Sequence, residues 1–333
     1  MRMNDLYPDI GTPNGVCVST SARLHMGFFD LHGGLGRQYG SIGVCIDQPA
    51  TELRAWCAEG FSVEGPGAVR AMQIVNDLAR ALKIEHGMHM ELLQVIPEHA
   101  GLGAGTQLSL AIGLAMSRLF NLELSTKEIA RLTQRGARSG IGVGTFMHGG
   151  VIVDGGRGSQ TGVPPVIARA EFPQAWRIIL AFDKESAGVH GKAEIEAFRT
   201  LPRFSATDAA DLCRHVLMQA LPALAEQDLA AFGAAIRILQ EKTGDHFAPV
   251  QGGRYASAKV AAVMDWLDGQ NVSCFGQSSW GPTGFAVFEN EQQANDYLLK
   301  LRTKFPAVEF MLCKGRNEGS VIQDISNREV RKV

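Results

Sequence analysis

Pro97-Glu98-His99-Ala100-Gly101-Leu102-Gly103-Ala104-Gly105-Thr106-Gln107 places three glycines in five residues between two patterned segments. Before it, residues 88–96 alternate, with Met88, Met90 and Leu92 on one side, which predicts a strand. After it, residues 108–120 carry Leu108, Ile112, Ala115 and Leu119 at helical spacing. A glycine-rich turn between strand and helix lets the backbone approach a ligand and aims several unpaired N–H groups at one point. That point lies at the positive end of the helix dipole, where phosphate is stabilised. An ordinary tight turn would use the same glycines, so the rest of the chain has to decide.

Upstream, residues 16–22 read as a strand that runs into Ser21-Ala22-Arg23-Leu24-His25-Met26-Gly27-Phe28-Phe29-Asp30. On a strand, Arg23 and His25 project from one face, and such a polar pair needs partners or a ligand. A satisfied core histidine is the alternative for His25. Residues 31–40 form a glycine-rich loop carrying Arg37 near Asp30, suited to cover an anionic substrate or simply to join two strands. Strands are expected over residues 41–46 and 51–56, and an amphipathic helix over residues 68–82.

Downstream, Ser125-Thr126-Lys127-Glu128 is a capping box that starts a helix to about residue 134. A second glycine-rich segment, residues 138–150, leads to a strand at 151–154. The glycines and prolines of 155–165 suggest the domain boundary. The expected division is a loose tail (1–15), a first domain (16–160) and a second (161–333). The second domain should open with a strand over 176–182 and a turn offering Lys184, Ser186 and His190 to an anion, or to solvent. Helices are expected over 206–219, 224–240 and 256–267. The turn of residues 274–284 precedes a strand at 285–288, a helix at 291–304 capped by Asn290 and a strand at 308–312.

Composition limits the function. Apolar residues are 45% and charged residues 20% of 333, a soluble-protein balance over a length that suggests two domains. A net charge of −2 without a basic run argues against nucleic-acid or membrane-surface partners. No apolar run approaches the ~20 residues of a membrane span, and the first residues lack a signal-peptide pattern. The six cysteines are scattered without a C-x-x-C pair, as expected of reduced thiols in the cytoplasm.

Three pieces line up: Ala22-Arg23-Leu24-His25-Met26-Gly27, the Pro-x-x-x-Gly-Leu-Gly turn, and Ser279-x-Gly281-Pro282-Thr283-Gly284. In this order they resemble the superfamily of galactokinase, homoserine kinase, mevalonate kinase and phosphomevalonate kinase (the GHMP kinases). The resemblance implies an α+β chain of two domains, one like domain 2 of ribosomal protein S5 and one ferredoxin-like, with the site between them. Two departures matter. Those kinases usually follow Gly-Leu-Gly with two serines, where this chain has Ala104 and Gly105, and Thr106 carries the first hydroxyl. Many also place a catalytic aspartate in the segment matching 139–150, which here holds no acid; the nearest is Asp154. A phosphate cradle is kept and the kinase base is missing.

That combination is similar to one branch, the β-ribofuranosylaminobenzene 5′-phosphate synthases. The segments that suggest it include Asp30-Leu31-His32-Gly33, Gly149-Gly150-Val151-Ile152-Val153-Asp154 and Gln277-Ser278-Ser279-Trp280-Gly281. The branch joins phosphoribosyl pyrophosphate to 4-aminobenzoate or a 4-hydroxy analogue, losing pyrophosphate and carbon dioxide, on the route to methanopterin. The resemblance implies that the amides of Gly101, Leu102, Gly103, Ala104, Gly105, Thr106 and Gln107 grip the leaving diphosphate, with Mg²⁺ able to share the charge and no organic cofactor. Arg23, Arg37, Lys184, His190 and Arg254 are the cations available for the 5′-phosphate and carboxylate. His25, Ser186, Ser278, Ser279 and Gly281 complete the expected binding set. Asp30 and Asp154 are the expected carboxylates beside the ribose cation, with Arg37 the third catalytic residue. A homodimer is expected on general frequency. An ATP-dependent kinase and a non-catalytic phosphate sensor are the competing readings.

Overall fold

The computed structural model describes residues 15–185, 199–279 and 281–325. The first half builds a seven-stranded sheet whose main order is β11-β1-β2-β4-β3, with β5 paired to β2 and β6 to β5. Its strands are β1 (Gly15–Asp30), β2 (Gly40–Ala58), β3 (Ser62–Glu64), β4 (Gly87–Gln94), β5 (Val151–Asp154), β6 (Val166–Ala170) and β11 (Val321–Ile325). Four helices cover one face: α1 (Ala68–Leu82), α2 (Ala104–Leu119), α3 (Thr126–Leu132) and α4 (Ile141–His148). Their apolar sides meet Val16, Val18, Leu53, Met88 and Met90 in one core.

The second sheet has the order β10-β7-β9-β8, from β7 (Arg177–Phe182), β8 (Cys274–Gln277), β9 (Gly284–Phe288) and β10 (Glu309–Cys313), all antiparallel. Numbered along the second domain, that is 4-1-3-2, the ferredoxin-like arrangement expected. Its helices are α5 (Ala206–His215), a π-helical turn (Val216–Ala220) leading to α6 (Leu221–Glu226), α7 (Leu229–Gln251), α8 (Ala258–Gly269) and α9 (Glu291–Lys304). Helix α7 lies against the free face of the first sheet. Leu24, Met26, Val44 and Val153 there share a core with Phe232, Ile236 and Leu239. The two domains are thereby joined by a continuous apolar layer.

The expected boundary at 160/161 needs correction, because β6 and β11 both belong to the first sheet. β6 follows the glycine-proline stretch that suggested a linker, and β11 returns after the whole second domain to pair Gly15–Ser19 of β1 with Val321–Ile325. The two strands expected at 41–46 and 51–56 are one, β2, because its neighbour changes from β5 to β4 while the strand continues. The second glycine-rich segment is largely helical. Gly142 and Gly144 lie inside α4, where a Cβ would sit 3.0 Å from Thr106 Cγ2 and 2.8 Å from Ile152 Cγ2. Those glycines let α4 press against α2 and β5.

Candidate active site

The site begins with a bulge in β1. Val16, Val18 and Thr20 face the helices, but the register shift between Ser21 and Arg23 inverts the alternation. Ala22, Leu24 and Met26 then face the interdomain core, which brings Arg23 and His25 to the helix face. Arg23 packs along Gly103, where a Cβ would meet its Cγ at 3.1 Å. Its backbone N–H donates to Leu102 O at 3.0 Å, and its guanidinium donates to Gly101 O.

The late serine turn closes on the same carbonyl. Ser278 Oγ donates to Gly101 O at 2.8 Å and accepts from His25 N at 3.0 Å. Ser279 N in turn donates to His25 O at 3.1 Å. Gly101 has φ 76 and its missing Cβ leaves room for Gly281, whose Cα would otherwise stand 2.8 Å away. The three motifs that suggested the fold therefore converge on one carbonyl oxygen.

Helix α2 starts immediately beyond. Its N-cap, Gly103, is left-handed (φ 83), offers no side-chain cap and is followed by no acid in the first turn. The first N–H groups of α2 thus point outward with the positive dipole behind them. Two arginines absent from the sequence reading stand over this end. A Cβ on Gly105 would lie 2.5 Å from Arg70 Nη2 and 3.4 Å from Arg135 Nη1. Burial, then the charge of Arg70, push the Arg135 guanidinium below its usual pKa. Arg70 holds Glu98 at 2.9 Å, and Arg135 Nε donates to Ser109 at 3.2 Å. Two cations and an uncapped helix end converge there, an arrangement that stabilises phosphate charge. The signal was available for Arg70, which shares a face of α1 with buried Ile74; Arg135 follows α3 and had no pattern to betray it.

Other expected contacts are placed differently. Leu102, Gln107, Ser278 and Gly281 are buried. Gln107 accepts from Thr20 Oγ1 and donates to Gly142 O at 2.8 Å, so it locks α2 to β1 and α4 instead of touching a ligand. Asp154 is corrected too. It is 0% exposed, and its carboxylate accepts from Ser41, from Ser139 at 3.1 Å, from Gly140 N at 2.9 Å and from Gly156 N at 2.8 Å. Burial raises its pKa to about 6 against those bonds. It fastens β5 to the start of α4.

Asp30 Oδ1 accepts from His32 N at 2.9 Å and Gly33 N at 3.0 Å, folding the glycine loop back on itself. Arg37, from that loop, donates from Nε to Gly155 O at 2.7 Å and from Nη2 to Gly156 O at 2.8 Å. Its first role here is to hold the loop against the turn that follows Asp154. Lys184 is exposed and paired with Glu309 at 2.7 Å, on the rim of a cavity of about 370 Å³ between residues 97–100 and the second sheet. Arg254 leaves the candidate set: it makes a two-pronged pair with Asp245 at 2.7 and 2.9 Å, beside a different cavity lined by α7 and α8. Ser186 and His190 lie outside the described residues, as does Trp280.

Gly103, Ala104, Gly105 and Thr106 remain partly open to solvent beside Arg23, Arg70 and Arg135. This arrangement of glycine turn, uncapped helix and ferredoxin-like partner defines the GHMP kinase class. Residues 69–150 match the GHMP kinases N terminal domain and 220–307 the GHMP kinases C terminal domain. The homoserine kinase structure of Cytophaga hutchinsonii superposes with a TM-score of 0.66 at 15% identity, over 95% of this chain and 100% of that one. Within the class, the β-ribofuranosylphenol 5′-phosphate synthase of Archaeoglobus fulgidus is 33% identical over 92% of this chain and 99% of its own. The Methanocaldococcus jannaschii protein of the same name is 31% identical over 84% and 92%. The chain belongs to the β-ribofuranosylphenol 5′-phosphate synthase family, and is a pentosyltransferase built on a kinase fold.

Proposed function

We propose that this chain joins phosphoribosyl pyrophosphate to 4-hydroxybenzoate or 4-aminobenzoate, releasing diphosphate and carbon dioxide, for (tetrahydro)methanopterin biosynthesis. The observation that carries this reading is the uncapped start of α2 beneath Arg70 and Arg135. A leaving diphosphate gathers charge as the ribose C1–O bond breaks, and prepositioned amides and guanidiniums stabilise that charge without reorganising. The start of α4 supports it from the other side. There Asp154 is consumed by structural hydrogen bonds and is not placed to deprotonate a kinase's acceptor hydroxyl. The word phenol in the relatives' names favours the hydroxy acceptor.

Asp30 and Arg37 shape the loop on the ribose side, with the second Asp30 oxygen toward the developing cation. Lys184 serves the 5′-phosphate from the rim of the cavity between residues 97–100 and the second sheet. Among the described residues, no three His, Cys, Asp or Glu side chains gather as a metal site. In this reading Mg²⁺ enters as the counterion of the diphosphate, as part of the donor. No helix of the described residues is long and apolar enough to cross a membrane. A cytoplasmic homodimer remains part of the reading on general grounds.

The test supplies phosphoribosyl pyrophosphate with each acceptor, and ATP with small alcohols in parallel. Release of diphosphate and carbon dioxide in equal amounts supports the proposal. ADP formation with an alcohol, and none of those products, overturns it.

A further inference from the structure

His25 is 2% exposed, and among the described residues neither ring nitrogen has a hydrogen-bond partner. Its backbone is fixed from both sides, by Ser278 Oγ at the N–H and by Ser279 N at the carbonyl. The ring packs on Phe28, whose ring centroid is 4.5 Å away. The unbroken register Arg23↔Cys45, Leu24↔Val44, His25↔Gly43 keeps His25 on the face of Arg23. Arg23 reaches the start of α2 there, and Gly43, opposite His25, faces Ile141 at the start of α4. His25 therefore shares a strand face with Arg23, next to the strand position that meets the start of α4.

A buried imidazole with both nitrogens unmet costs stability, and the fold keeps it. Neutral imidazole offers one acceptor and one donor. The neutral form is enforced here: burial, then the Arg23 charge, lower its pKa to about 3. Beyond it, Phe28 meets Tyr39 at 6.2 Å and Phe247 at 6.4 Å edge-on, so the imidazole sits at the border of an aromatic cluster.

We propose that His25 accepts a hydrogen bond from the para substituent of the aromatic acceptor and relays its proton during carbon–carbon bond formation. The assignment rests on the pentosyl-transfer reading above. In that reaction, the ring carbon bearing the carboxylate uses its π electrons to bond ribose C1. The C1–O bond breaks, and its electron pair leaves with the diphosphate. Positive charge then reaches the para oxygen or nitrogen, whose proton becomes strongly acidic and passes to the imidazole. A weak base suffices for so strong an acid. The carbon–carboxylate bond breaks next, carbon dioxide departs, and its electron pair restores the aromatic ring. The imidazolium returns the proton, so no oxidant, reductant or net proton is required.

The site then selects for a para group that can donate, because an acceptor lacking one leaves the imidazole unmet. The test compares wild-type protein with His25→Gln and His25→Phe, using 4-hydroxybenzoate, 4-aminobenzoate and 4-methoxybenzoate. For His25→Phe, kcat/KM for 4-hydroxybenzoate should fall about 100-fold, the scale of a lost proton relay. His25→Gln, which keeps an acceptor, should recover about tenfold of that. Affinity for phosphoribosyl pyrophosphate alone, measured by calorimetry, should stay within about twofold, because the donor's anions bind elsewhere. In wild-type protein carrying ¹⁵N-histidine, 4-hydroxybenzoate with pyrophosphate should move the His25 signal, and 4-methoxybenzoate should not. Wild-type rates and unchanged acceptor preference in His25→Gln overturn the proposal. So does an unmoved His25 signal, or loss of donor affinity in both variants. Wild-type protein that turns over no para-substituted benzoate defeats the underlying reading and the proposal with it. Turnover with an indifferent His25 defeats the proposal alone.

Discussion

Gly101→Ala tests the convergence of the three motifs most directly. The substitution puts a Cβ against Ser278 O and 2.8 Å from Gly281 Cα, both backbone atoms that cannot swing aside. It also forces a left-handed φ of 76 on a residue with a side chain. The left-handed conformation costs about 1 kcal/mol. Moving the loop away breaks the Ser278 hydrogen bond at 2.8 Å, worth about 1 kcal/mol. It also breaks the Arg23 guanidinium bond to the same carbonyl, worth about 2 kcal/mol because the donor is charged. Together these remove about 4 kcal/mol, which for a chain of this length lowers Tm by roughly 6 °C when both domains unfold together. Scanning calorimetry reads the shift, and diphosphate release reads the function, which should fall at least about tenfold as the amides move off target. An unchanged Tm together with wild-type turnover refutes the convergence as the feature that holds the domains at the site.

Gly105→Ala on the same loop should behave oppositely. Its Cβ meets the movable tip of Arg70 at 2.5 Å, so stability holds or rises by about 0.5 kcal/mol while KM for the donor rises about tenfold; a lowered Tm with normal KM counts against the arginine pair. Arg135→Ala should raise donor KM by at least about tenfold with kcat less affected, read by initial rates at several donor concentrations. Arg37→Ala removes the bonds to Gly155 and Gly156, so turnover should fall strongly while Tm moves little; near-normal turnover removes the loop from the mechanism. Asp154, with its pKa raised from 3.8 to about 6, binds a proton more readily folded than unfolded. Its contribution to stability is therefore full below about pH 4 and is lost, by about 3 kcal/mol, as pH rises through 6. Urea unfolding between pH 4 and 7 should show that decline in wild type and a flatter profile in Asp154→Asn; equal slopes would contradict it.

Where local chemistry sets the structure, the sequence could be read closely. α1 starts and stops where its apolar spacing does, Ser125 forms the capping box with Glu128, and Asn290 caps α9. The glycine turn and both flanking motifs were legible because each needs special residues at fixed spacing. The failures share one cause, which is that pairing over long sequence distance leaves no local mark. β11 is an exposed strand of mixed residues, recognisable only beside β1. The helix at residues 141–148 was not foreseen, because Gly142 and Gly144 lower its propensity while serving close helix packing. Asp154 and Arg37 carried the right residue types for catalysis, and only their hydrogen-bond partners reveal what occupies them. Arg135 carries no mark in the sequence until the fold sets it, with Arg70, over Gly105.

The pairing of β11 with β1 also bears on how the chain is made. An edge of the first sheet stays open until a strand synthesised after the entire ferredoxin-like domain returns to cover Gly15–Ser19. The nascent first domain must therefore wait, with β1 unpaired on one side and exposed to other chains, until synthesis has passed the second. Because that closure joins distant parts of the chain, it should also be the slow step of refolding, and the anion site beside β1 matures only after it.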